Sequence, residues 1–185
     1  AQDHLLSLGI TSQMEAGVGV DTIDLYRDLY ERGELKLRSY PLVFLTADTA
    51  NEEAEYVRTT VPEGRLYDER LLLQGVKVET DGSLGARSAA MLEEYSVRPG
   101  YTGEYRFTPE QLYDVFKLSY DQGYQICTHT IGDGAAREVI NTLARCEEEN
   151  PRDDARLRIE HFQVVNLDDI DRALGMGIIP SMQYC

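Results

Sequence analysis

The sequence predicts an α/β fold in which parallel strands are covered by helices, and three observations carry that prediction. Helical and strand-like patterns alternate along all 185 residues. The strand-like runs are continuously apolar, as in a sheet buried on both faces. No glycine-rich phosphate turn follows the first strand. Alternation implies crossover helices between parallel strands, which either a doubly wound sheet or a closed barrel satisfies. A doubly wound nucleotide fold would carry a phosphate turn, and Gly9-Ile10-Thr11 through Gly17-Val18-Gly19 is a poor match. The barrel is preferred.

The elements follow in order. Residues 9–15 read as a short strand. Residues 21–33 form a helix with Ile23, Tyr26, Leu29 and Tyr30 on one stripe and Gly33 as its stop. Residues 35–45 are the next strand region, 51–60 a helix with the thin stripe Ala54, Val57 and Val61, and 71–79 a strongly apolar strand. The clearest helix opens at Thr108-Pro109-Glu110-Gln111, which supplies a cap, a first-turn proline and a capping-box glutamine. Leu112, Val115, Phe116 and Tyr120 form its buried stripe, and Gly123 ends it. Residues 124–129 are a strand, 133–148 a helix, 157–161 a strand, 166–174 a short helix and 177–182 a final strand. That is about six strands. Eight strand–helix units need about 250 residues, so the chain reads as a segment cut from a larger barrel domain, truncated at both ends. The connection spanning residues 80–107 is far longer than the others and is expected to lie over the barrel mouth as a lid or binding loop.

Composition narrows the function classes. The chain is 42% hydrophobic and 28% charged with a formal net charge of −15. That balance argues against a grip on nucleic-acid phosphates and against an anionic membrane surface. No run approaches the roughly 18 residues of a membrane span, and Ala1-Gln2-Asp3-His4 lacks a signal-peptide pattern, so a cytoplasmic protein is expected. Cys127, Cys146 and Cys185 are odd in number and lack CxxC spacing, which suggests neither a disulfide framework nor a zinc knuckle. Cys127 is expected to be a small core residue.

Two histidines carry most of the chemistry. His129 and His161 each close an apolar strand, with one helix between them. In a parallel barrel this puts both imidazoles at the C-terminal mouth, about one strand spacing apart, where such a pair can hold a metal such as zinc. The plainer reading of each alone is a hydrogen-bonded core histidine. Lys77 lies inside an apolar strand, where an ammonium needs a partner or a lowered pKa. A neutral lysine can react with carbon dioxide to give a carbamate that bridges two metals. Otherwise Lys77 reaches the surface or pairs with Glu79 or Asp81. Glu160 is expected to point to the opposite face, as an outer salt-bridge partner. Asp133 is expected to cap the helix that follows it, with a ligand or substrate contact as the alternative. Asp81-Gly82-Ser83-Leu84-Gly85-Ala86-Arg87 opens the long connection, and Arg87 could reach over the mouth toward a substrate carboxylate or carbonyl.

The stretch from Lys77 through Asp81-Gly82-Ser83-Leu84-Gly85-Ala86-Arg87 to Ala90, then His129-Thr130-Ile131-Gly132-Asp133, Arg158-Ile159-Glu160-His161-Phe162-Gln163 and Pro180-Ser181-Met182-Gln183 resembles amidohydrolase family 3 in order and spacing. The branch it resembles most contains N-substituted formamide deformylase and proteins labelled exoenzyme regulatory protein. The resemblance spans nearly the whole chain. It implies strands two to seven of a (β/α)₈ TIM barrel in a metal-dependent hydrolase acting on a non-peptide amide-type C–N bond through metal-activated water. By position it implies His129 and His161 as metal ligands and Lys77 as a residue carbamylated in some members. One or two divalent ions, zinc foremost, would complete the enzyme, and a small-molecule amide would be its substrate, contacted by Asp81, Ser83, Arg87 and Asp133. The family also requires a His-x-His before this segment and a general-base aspartate, here expected beyond Cys185. Without them the segment alone is expected to be inactive, and its open strand edges to favour homo-oligomers. The competing reading is a non-catalytic barrel module that binds a small molecule or partner in a regulatory role.

Overall fold

Apolar residues at strand and helix spacing produce the expected alternation, with a short helix and a hairpin added. The computed structural model describes residues 1–183, so Cys185 lies outside the described residues. The elements run α1 (Gln2–Ser7), β1 (Ser12–Val18), α2 (Val20–Glu31), β2 (Arg38–Leu45), α3 (Glu52–Thr59), β3 (Gly64–Leu66), β4 (Leu71–Leu73), β5 (Gly75–Glu79), α4 (Pro109–Asp121), β6 (Gln125–Thr130), α5 (Asp133–Glu149), β7 (Arg158–His161), α6 (Leu167–Gly175) and β8 (Ile179–Met182). Strands β1, β2, β5, β6, β7 and β8 pair in that order, all parallel. These are the six barrel strands.

The signals of α4 hold at the residue level, whereas Val61, expected on the stripe of the helix before β3, lies beyond the end of α3 and is exposed. Thr108 Oγ1 accepts from the Gln111 amide and Gln111 Oε1 from the Thr108 amide, closing the capping box around Pro109. Two strand expectations change. The first strand starts three residues later than the apolar pattern suggests, after α1. The run 71–79 divides at Gln74 into β4 and β5. Strand β4 turns back as an antiparallel hairpin with β3 and meets β2 at Ser39, whereas β5 pairs with β2 from Val43 to Leu45. The division falls at Gly75, where a Cβ would run into the Tyr40 hydroxyl and Leu42.

Side-chain alternation splits the sheet into two environments. On the helix side, Val76, Val78, Ile126 and Ile159 pack with Val115, Phe116 and Tyr120 of α4 and Val139, Ile140 and Leu143 of α5. Fully burying one such side chain contributes about 1.5–3 kcal/mol. The other face carries Lys77, Glu79, Cys127, His129, Arg158 and Glu160 in register. Arg158 on β7 reaches across this face to Met14 Sδ on β1 at 3.5 Å, so the run of strands curls toward closure. The polar face is the barrel interior. Among the described residues, no helix is long and apolar enough to cross a membrane.

Candidate metal centre

The two histidines come from adjacent strands that are out of step by one residue. Register pairs His129 with Glu160 and Thr130 with His161. Alternation therefore points His129 into the barrel beside Lys77, and would point His161 toward the helices. The backbone reverses that outcome. His161 and Phe162 adopt φ of 73° and 47°, a left-handed conformation that non-glycine residues hold at a cost of about 1–3 kcal/mol each. The turn is fastened by the Phe162 amide to Thr130 O at 3.0 Å and the Val164 amide to Ile131 O at 2.9 Å. Phe162 enters the core, and the His161 ring meets His129 edge to face, with centroids 4.5 Å apart.

This geometry corrects the expectation for Glu160. It shares the inner face with Lys77 and His129 and pairs there with Arg158 at 2.8 Å. The register, which no residue pattern announces, decides this.

Each imidazole has one nitrogen committed and one left over. His129 Nε2 lies 3.0 Å from the Gly82 carbonyl, which can only accept, so Nε2 carries the proton and Nδ1 keeps its lone pair. His161 Nδ1 lies 2.9 Å from Gln183 Oε1, which likewise assigns the proton to Nδ1 and leaves Nε2 free. Burial pushes the His129 pKa down, favouring the neutral ring. Hydrogen-bonded outer nitrogens are how proteins orient metal-binding histidines. Neither Gly82 nor Gln183 stands out among the candidates, although both fall within the motif stretches. A backbone carbonyl leaves no mark on sequence chemistry.

Lys77 is only 4% exposed. The two carboxylates that raise its pKa are both held by arginines, Glu160 by Arg158 and Glu79 by Arg106 at 2.7 Å. Among the described residues, none forms an ion pair with Lys77, and it does not reach the surface. Burial lowers its pKa as the dominant effect. It sits one register step from Cys127 and two residues below Glu79, the partner of His129.

The residues of the long connection divide. Asp81 is 0% exposed. Its Oδ1 accepts from the Ile131 amide at 3.0 Å, and Oδ2 accepts from the amides of Gly132 at 2.8 Å and Ala90 at 3.0 Å. It presents no surface to a substrate. Asp133 is the first residue of α5 but not its cap, because Gly132 takes that position. Its Oδ1 instead accepts from the Leu92 amide at 2.9 Å, tying the connection to α5. Ser83 is exposed and closes a local turn with Ala86 and Ser88. Arg87 is exposed at the end of that turn, with φ of 58°. The connection is therefore fixed at its base rather than free to swing.

Together His129, His161 and Lys77 give two imidazole lone pairs and one buried amine at the strand ends. Two neutral imidazoles whose outer nitrogens are already hydrogen-bonded are the donor type that a divalent ion takes, so the histidines fit such an ion chemically as two of its ligands. Among the described residues, no cluster of three His, Cys, Asp or Glu side chains completes the set.

The model of the group described as "Amidohydrolase family" matches residues 1–185. The chain is 34% identical over 120 residues to "Protein LONG AFTER FAR-RED 3" of Arabidopsis thaliana, covering 65% of this chain and 21% of that protein. It is 32% identical over 108 residues to "Putative amidohydrolase YtcJ" of Bacillus subtilis (strain 168), covering 58% of this chain and 20% of that protein. An uncharacterized metal-dependent hydrolase from Pyrococcus furiosus superposes with a TM-score of 0.76 at 26% identity, over 97% of this chain and 35% of that one. Its counterpart from Pyrococcus horikoshii gives 0.76 at 27% identity, over 98% and 35%. The chain thus spans about a fifth of the curated relatives and about a third of the solved structures. With a family match that runs from first residue to last and a parallel barrel segment bearing two facing histidines, the chain belongs to the amidohydrolase family.

Proposed function

We propose that this chain is the central barrel segment of a metal-dependent amidohydrolase that cleaves a non-peptide amide-type C–N bond in a small molecule. The observation that carries the reading is the pair of facing imidazoles whose outer nitrogens are already committed to Gly82 and Gln183. His129 through Nδ1 and His161 through Nε2 would hold a divalent ion, and neutral imidazole suits zinc. Bound there, the ion would polarise a carbonyl and lower the pKa of a water. His129 keeps its own proton at Nε2 throughout and so acts as a holder rather than as an acid or base. Lys77, with its pKa lowered by burial, is poised to attack carbon dioxide. Its nitrogen lone pair would form the N–C bond, an amine proton would leave to solvent, and the resulting carbamate would supply an anionic oxygen ligand. The remaining ligands and the general base are assigned to the parts of the relatives that lie outside the matched segment. Arg87 and Ser83, exposed on the long connection, are the side chains through which it could touch substrate.

The test uses the full-length protein. Its metal content is measured, and N-formyl amines, N-acyl amines, ureas and dipeptides are screened as substrates. Hydrolysis of one of the first three classes, lost on chelation and restored by zinc, is the expected result. A full-length protein that binds no metal and cleaves none of them would instead be the non-catalytic module.

A further inference from the structure

We propose that Asp81 is a positioning residue that sets the tautomer and direction of His129 from inside the protein. The proposal deepens the metal-site reading above. Strand β5 ends at Glu79, the long connection begins, and within two residues the chain buries a carboxylate completely. Burying a carboxylate is costly unless its oxygens are saturated, and here three backbone amides saturate them. Two of those amides, Ile131 and Gly132, belong to the turn that follows His129, and the third, Ala90, to the connection. One side chain thus joins the strand end that carries the histidine to the loop whose Gly82 carbonyl receives the histidine's proton.

The carboxylate also lies 3.6 Å from His129 Nε2 through Oδ1. All four neighbouring groups are N–H donors, so a protonated Asp81 would have nothing to donate to. Its oxygens act as acceptors toward the three amides. An acceptor facing Nε2 favours the proton on that nitrogen and leaves Nδ1 for the barrel mouth, the arrangement that carboxylate–histidine pairs give at metal centres. Asp81→Asn keeps the shape but offers only one acceptor oxygen, and its amino group must then confront an N–H.

The experiment is nitrogen NMR of His129 in the full-length, metal-stripped protein, compared with Asp81→Asn, together with cobalt titration of both. In the wild type, the proton is expected on Nε2. In Asp81→Asn the loop that carries the Gly82 carbonyl loses part of its tie to the turn after His129, so the two tautomers should mix, and cobalt affinity should fall about 10–100-fold, as for other outer-layer partners. A wild-type His129 protonated on Nδ1 overturns the proposal, and that measurement stands even where the variant does not fold. A folded Asp81→Asn with an unchanged tautomer also overturns it, leaving Asp81 as a loop fastener only. Failure of the metal reading is a separate outcome, namely a wild type that takes up no cobalt while its His129 tautomer is as expected.

Discussion

Around His129, strand β6 runs between β5 and β7, α4 and α5 cover its far side, and Asp81 and Gly82 hold the turn and the ring. Around His161, β7 pairs with β6 on one side and β8 on the other, and the chain turns sharply at His161 and Phe162. Among the described residues, the Gln183 side chain and two turn hydrogen bonds direct the ring there. One histidine is held by the buried elements around it and the other is aimed by backbone conformation. The difference teaches that two side chains of one site can be oriented by different means.

The largest effect should come from the ligands themselves. In the full-length enzyme, His129→Ala and His161→Ala should each lower zinc content and kcat/KM by well over the roughly 100-fold that outer partners give, as metal analysis and steady-state rates would show. Equal retention of zinc in both variants would break the pairing. Next comes packing. Phe116→Ala, in the covered half, should cost about 3–5 kcal/mol by urea denaturation. A loss below about 0.5 kcal/mol would mean that α4 does not pack on β6 as described.

Lys77 gives a pH test. Its folded pKa is depressed, so the unfolded chain holds a proton that the folded chain holds less readily. Burial of the amine therefore destabilises the fold at neutral pH, and the penalty shrinks as pH rises toward the ordinary lysine value of about 10.4. Metal-free Lys77→Met should be more stable than the wild type at pH 7 and lose that advantage near about pH 10, read from urea midpoints. The same variant should lose activity if Lys77 supplies a carbamate ligand. The smallest effect is the cap. Thr108→Ala should cost about 1 kcal/mol, visible as a small shift in the same midpoint.

Much of the covered half could be read from residue types. The capping box of α4, its stripe and the strand that ends at His129 rest on local rules that the fold does not override. What escaped depends on neighbours. The run 71–79 divides beside Gly75, which Tyr40 and Leu42 crowd, a contact between residues far apart in sequence. Asp133 resembles a cap until the connection brings the Leu92 amide to it. Glu160 takes the inner face because register, not composition, sets it there. For the site, the histidines and Lys77 could be named from strand ends and burial. The turn that swings His161 round to meet His129 could not, because no glycine marks it.

The long connection has a root and a tip. At the root, the backbone of Ala89 and Ala90 presses directly on Gly103 and Gly132, and a Cβ at either glycine would overlap a carbonyl. Residues 92–94 and 96–100 at the tip are exposed. Sequence change is therefore unevenly licensed along one loop. The tip can be rewritten without moving His129. A methyl group added at the root would press the loop away from the barrel and disturb the turn that holds the His129 ring.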